Sequence, residues 1–249
     1  MGRRKNDALN LLERIFNAYD ACDYQSVISM TTDALKDPNF VPESAYCLRG
    51  MAYGEMGEFN KAVADLTQAI KFDPYYSEAY FYRGLNFMDL KNYRRALADF
   101  SKVIQLKPKH ADAYYNLGIT YVALKNYRKA VKAYTKAIEI NPNYSDAYQN
   151  RGVSYLDLRK YQNTIEDCTK VLRLEGDNYK SYWCRGLAYL NMAEYDNALA
   201  DLTMAIELNP EEHLIYCWRG TVYYEMDNEE KGDADFAKAR GLGWKGEPF

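Results

Sequence analysis

The sequence predicts an all-α fold made of stacked helical hairpins, and three observations lead there. Gly50, Gly84, Gly118, Gly152, Gly186 and Gly220 follow one another at intervals of 34 residues. Around each glycine the apolar residues recur with a 3.6-residue period in two runs, the pattern of two amphipathic helices. A short break separates the runs, and Pro74, Pro108, Pro142 and Pro210 stop the second run in four of the copies. A single hairpin of this kind cannot bury its apolar face alone, so the copies must stack into a solenoid.

Taken in chain order, residues 1–42 read as a degenerate N-terminal hairpin, a cap or a divergent copy. Leu9, Leu12, Ile15, Phe16 and Tyr19 form one apolar stripe, and Tyr24, Val27, Ile28, Ala34 and Leu35 the other. Six copies follow, at 43–76, 77–110, 111–144, 145–178, 179–212 and 213–246, numbered so that the periodic glycine is position 8. Position 4 is Tyr throughout and position 11 is always aromatic. Position 20 is small, as in Ala62, Ala96, Ala130 and Ala198, so the two helices can approach closely where it meets the glycine. In the sixth copy the residues that would touch a following hairpin turn polar: position 17 becomes Glu229, position 21 Asp233 and position 28 Arg240. That switch predicts a solvent-facing end and a monomer. Residues 247–249 are a short tail.

The 34-residue helix-turn-helix pattern resembles the tetratricopeptide repeat (TPR), over about four-fifths of the chain. The resemblance implies a right-handed superhelix of about seven hairpins and a role in protein binding. The fourth copy departs from the pattern with Thr164 for the small residue and Gly176 for the proline.

One internal signature asks for a physical reason. Position 7 is Arg49, Arg83, Arg151, Arg185 and Arg219, but Leu117 in the third copy; position 23 is Asp65, Asp99, Asp167, Asp201 and Asp235, but Ala133 in that same copy. The two positions lie equally far from the turn and should face each other. An Arg among apolar neighbours needs a carboxylate for its fork, and a pair replaced whole avoids the cost of leaving one buried charge alone. The arginines therefore read as structural.

Catalysis finds no support in the residue pattern. His110 and His213 are the only histidines and both fall in turns between copies. Cys22, Cys47, Cys168, Cys184 and Cys217 form no C-x-x-C pair, which argues against zinc and against a disulfide framework; half-buried free thiols are expected. The periodic glycines lie inside helices, so no phosphate loop is present. Fifteen of the 25 tyrosines occupy the packing positions 4, 11 and 17. The expectation is a cytoplasmic non-enzyme with no cofactor and no metal; the start of the chain lacks the apolar run of a leader and carries Asn6 where a myristoylation signal has Ser or Thr.

Binding is the better fit. On the first helix of each copy, positions 2, 6, 9 and 13 point away from the core, flanked by 5 and 12. The resemblance implies that these positions line a concave groove. Position 9 is apolar in Leu85, Ile119, Val153 and Leu187, position 5 carries Phe81, Tyr115 and Trp183, and position 6 carries Asn116 and Asn150. Glu78, Asp89, Asp112, Asp146 and Asp157 supply an acidic rim. An apolar floor with acidic edges suits a partner segment that mixes basic and apolar residues. The position 9 row can equally pack between neighbouring first helices. Family members that clamp chaperone tails carry Lys at position 5 and Asn at position 9, which this chain lacks, so that partner is not expected.

The second helices suggest an alternative. Residues 77–144 hold 12 Lys and Arg against 5 Asp and Glu in a chain of net charge −3. Arg94, Arg95, Lys102, Arg128, Lys129, Lys132 and Lys136 belong to this run. It is either a solvated convex face or a site for an anionic partner such as RNA, an acidic protein or a phospholipid surface. A self-assembling structural solenoid is the third possibility.

Overall fold

The computed structural model describes residues 2–37 and 40–246, with side chains from residue 10 onward, so the Leu9 side chain and the tail 247–249 lie outside the described residues. Every regular element among them is a helix. The chain divides into two compact units, Met1–Leu124 and Lys125–Phe249. The first holds α1 (Gly2–Asp20), α2 (Tyr24–Ala34), α3 (Pro42–Glu55), α4 (Phe59–Phe72), α5 (Ser77–Asp89), α6 (Tyr93–Leu106) and α7 (Ala111–Ala123). The second holds α8 (Tyr127–Ile140), α9 (Ser145–Asp157), α10 (Tyr161–Glu175), α11 (Tyr179–Asn191), α12 (Tyr195–Leu208), α13 (His213–Glu225) and α14 (Glu229–Gly241). The boundary falls in the third copy, the one that lacks the Arg–Asp pair.

Each hairpin turns through one residue with left-handed backbone: Cys22, Gly57, Lys91, Lys125, Arg159, Ala193 and Asp227. Only one of these is glycine. Within each unit the packing of the two helices imposes this turn against the local preference of Cys22, Lys91, Arg159 and Ala193, whereas Asp227 is of a type that adopts it more readily. Cys22 stands 35 residues before Gly57, so the N-terminal hairpin repeats the same turn with one residue inserted.

In the first unit the core is a chain of apolar clusters. Ile15, Val27 and Ala34 pack with Ala45, Leu48 and Ala52; Cys47, Ala62, Leu66 and Ala69 pack with Ala79; Phe87, Ala96 and Phe100 take in Val63 and Leu117. Close approach at position 8 is real at Gly84, where a Cβ would stand 2.8 Å from the Phe100 ring. Leu117, the residue that replaces the arginine, packs as an apolar plug on the Phe87–Phe100 cluster. In the second unit the largest cluster runs from Ala198 and Leu202 through Ile215 and Val222 to Phe236 and Ala239. Glu229, Asp233 and Arg240 are exposed on α14, as the polar switch predicts. A further cover was not foreseen: the chain turns back at Gly243, with φ +101, and Trp244 stacks on Phe236 at 5.7 Å between ring centres.

The arginines hold two partners rather than one. Arg151 donates from Nε and Nη2 to the two carboxylate oxygens of Asp167 at 2.8 and 2.7 Å, and from Nη1 to Thr135 Oγ1 at 3.0 Å. Arg83 joins Asp99 and Thr67, Arg185 joins Asp201 and Thr169, and Arg219 joins Asp235 and Thr203 in the same way. Arg49 joins Asp65 and reaches back to Thr32 on α2. The aspartate belongs to the arginine's own copy, and the threonine to the preceding second helix. Each guanidinium also lies over the position 4 tyrosine, 5.4 to 5.8 Å from its centre. Position 25 is Thr wherever an arginine follows, Ser101 where Leu117 follows, and Ala237 in the sixth copy. The threonine is therefore part of the same unit of recognition, tying one hairpin to the next.

Burial pushes the Asp167 carboxyl above the ordinary carboxylate range, with the Arg151 fork opposing it. A carboxyl raised in the folded state binds more protons folded than unfolded, so its contribution to stability grows as pH falls and is lost as pH rises through the folded pKa. Removing Arg151 removes the opposing influence. We expect Arg151→Leu to cost about 3 kcal/mol at neutral pH and the Arg151→Leu/Asp167→Ala double variant to cost less, a coupling that denaturant melts in a double-mutant cycle will read. The Arg151→Leu deficit should shrink on going from about pH 7 to about pH 5 as Asp167 takes up its proton. Ala193→Gly, which relieves a left-handed alanine, should raise stability by about 0.5 kcal/mol in the same melts.

Candidate protein-binding surface

In the first unit, α5 and α7 carry eight of the 14 residues expected in a groove, and packing claims several of them. Leu85 and Phe81 pack against the Phe87–Phe100 cluster, and the Phe81 ring stacks on His110 at 5.0 Å. Ile119 and Tyr115 are half-buried. Asn116 donates its amide to the Asp112 carbonyl within α7 at 2.9 Å. Glu78 is not a free rim charge: Lys107 pairs with it at 2.5 Å and Ser77 donates to it at 2.9 Å. Burial works against the Glu78 carboxylate, yet these partners hold it below the ordinary range. Asp89 and Asp112 are exposed; partial burial and the nearby Glu55 charge push Asp89 up.

In the second unit the expected positions come together. A pocket of about 280 Å³ opens between α9 and α11, lined by Asn150, Val153, Trp183 and Leu187 from the expected set. Gln149, Leu156, Tyr179, Lys180 and Cys184 complete it. Val153 is 41% exposed, and it stands at the surface beside the Trp183 and Leu187 side chains of the same pocket. The Trp183 indole N–H is buried and has no acceptor among the described residues. Ser181 donates to Gln149 across the two helices, which fixes the amide at the pocket edge. Asp146 and Asp157 are exposed on α9 outside the lining.

Tyr179, Leu156 and Lys180 line the pocket and are missing from the sequence expectation, which leaves out position 1, gives position 12 only as a flank, and names at position 2 only the acids Glu78, Asp112 and Asp146. A signal for Lys180 is present in the sequence: it is the one base at position 2, following the acids Glu78, Asp112 and Asp146.

The thiols are not the half-buried groups expected. Cys47, Cys168, Cys184 and Cys217 are buried and Cys22 is exposed. Burial pushes Cys47 up to about 12 and Cys217 up to about 11, while Cys168 is raised by its contact with Cys184 and by burial. None of the three is a thiolate at neutral pH, the form a nucleophile requires. No cluster of His, Cys, Asp and Glu that could hold a metal occurs among the described residues, and no helix there is long and apolar enough to cross a membrane.

The basic residues of the second helices divide between the units. On α6, Arg94 and Arg95 are exposed, Arg95 lies over the Phe87 ring at 5.5 Å, and Lys102 donates to Gln105 at 3.2 Å. On α8, Arg128, Lys129, Lys132 and Lys136 are exposed, and Lys136 pairs with Glu139 at 2.5 Å.

Comparison with known families agrees with the helix pattern. Models described as tetratricopeptide repeat match residues 44–76, 111–144, 133–166 and 179–212, and one described as TPR repeat matches 84–125, together more than half of the chain. The chain is a tetratricopeptide repeat protein. No curated protein matches it. Among solved structures, a TPR protein from Parabacteroides merdae ATCC 43184 is 20% identical with a TM-score of 0.68, over 96% of this chain and 94% of that one. MamA protein is 26% identical with a TM-score of 0.64, over 67% of this chain and 91% of that one. YrrB, described as a TPR protein with an unusual peptide-binding site, is 22% identical with a TM-score of 0.63, over 72% and 92%. The two pairings below 25% identity speak to the fold of this TPR protein and nothing more.

Proposed function

We propose that this TPR protein is a non-catalytic scaffold that holds a segment of a partner protein against the first helices of its repeats. The carrying observation is the α9–α11 pocket, where an exposed valine, a tryptophan and two leucines meet at the surface. Apolar anchors of this type supply most of the affinity of a segment seated in a groove, and rim charges supply orientation and encounter rate. Asp89, Asp112, Asp146 and Asp157 are exposed on the first helices and can meet basic residues of such a segment, and Glu78 is paired with Lys107. YrrB, whose description names a peptide-binding site, shares the fold. The free thiols fit a reducing cytoplasmic setting; on this reading the protein is a monomer that performs no chemistry of its own.

Peptides enriched on the full chain from a displayed random dodecapeptide library provide the probe. Trp183→Ala or Leu187→Ala should weaken the selected peptides by about 1 to 3 kcal/mol with little dependence on salt, read by fluorescence anisotropy. Neutralising Asp112, Asp146 and Asp157 should slow association and flatten its salt dependence. Reversing Arg94, Arg95, Arg128 and Lys129 should leave binding intact. If that last variant loses the peptides while the groove variants keep them, the surface is an anion-binding face of the second helices instead.

A further inference from the structure

Resting on that reading, we propose that the α9–α11 pocket selects one bulky apolar side chain whose neighbour in the partner segment is acidic, with Lys180 as the countercharge. At about 280 Å³ the pocket lies at the lower limit of cavities that hold whole ligands, so a single large side chain is the occupant that matches it. Its walls are Val153 and Leu156 on α9 and Trp183 and Leu187 on α11, which favour a leucine, methionine or aromatic residue.

Polarity at the mouth sets the neighbour. Lys180 is the one charged side chain in the lining. It is exposed, its ammonium group lies 6.0 Å over the Tyr179 ring, and no carboxylate among the described residues stands within ion-pair distance of it. Gln149 and Asn150 add amides and no charge. A basic residue beside the anchor would meet this ammonium against an apolar wall, where like charges are poorly screened, whereas a carboxylate there would be matched. The acids Asp146 and Asp157 lie outside the lining, so the basic residues expected of the partner belong further along the segment. The predicted segment is thus bipolar: acidic at the anchor and basic beyond it.

The test uses the full chain, its Lys180→Glu variant and two groove variants, Trp183→Ala and the surface change Val153→Asp, each checked for native helicity by circular dichroism. Dodecapeptides displayed at random and enriched on the wild-type chain should carry a bulky apolar residue beside Asp or Glu. Lys180→Glu should weaken those peptides about tenfold and enrich instead for Lys or Arg beside the apolar residue, and changing the peptide's acid to Lys should restore binding to that variant. If the acid can be changed to Gln with less than a twofold change in Kd, or if Lys180→Glu enriches the same motif, the proposal is overturned while the groove reading stands. If both Trp183→Ala and Val153→Asp bind the selected peptides as the wild type does, the groove reading falls and this one with it. Failure of the wild-type chain to enrich any peptide over the bare support overturns both.

Discussion

The arginine at position 7 is the constraint on which the order of the array depends. Apolar stacking favours contact between neighbouring hairpins but has little directionality. A guanidinium held by both oxygens of its own aspartate, by the threonine of the preceding second helix and by a tyrosine face can sit in one register only. Three elements are thereby fixed by one side chain: the two helices of a copy and the second helix before them. The cost of burying the pair is met by satisfying the fork from three directions, so losing one partner is expensive and losing all of them is tolerable. The third copy shows the second case, with Leu117 plugging the Phe87–Phe100 cluster where a fork would otherwise stand.

This division of labour leaves the other face of each first helix free to vary. Once the register is set by positions 4, 7, 8 and 23, positions 1, 2, 5, 9 and 12 can change without disturbing the stack. In the first unit packing absorbs that freedom: Phe81 lies against His110 and Phe100, and Glu78 is paired with Lys107. In the second unit the combination of Val153, Trp183 and Lys180 leaves a pocket. Function in such a fold sits in what the scaffold does not need.

Much of this was legible in the sequence, for identifiable reasons. The 34-residue glycine spacing, the apolar periods and the joint loss of Arg and Asp in one copy all reflect contacts repeated five or six times, and repetition makes a contact visible without coordinates. Thr at position 25 repeats as faithfully, but its partner lies in the next copy, so a search within copies passes over it. What could not be read are the features that occur once. Trp244 folding back on Phe236, the Glu78–Lys107 pair and the pocket around Trp183 depend on side-chain placement that no periodicity announces. The left-handed turn residues show the reverse: Lys91, Arg159 and Ala193 give no local signal, and the helix pair on either side imposes the conformation.

The most direct test of the account is native-state hydrogen exchange on the full chain and its Arg185→Leu variant, read helix by helix. If the arginine fastens two copies, the variant should lose protection in α10, which carries Thr169, together with α11 and α12, and α7 and α8 should be the least protected helices between α3 and α14 of the unaltered chain. Loss confined to α11 and α12 with α10 unchanged, or protection in the third copy equal to that of its neighbours, would contradict the claim that this side chain holds the array in register.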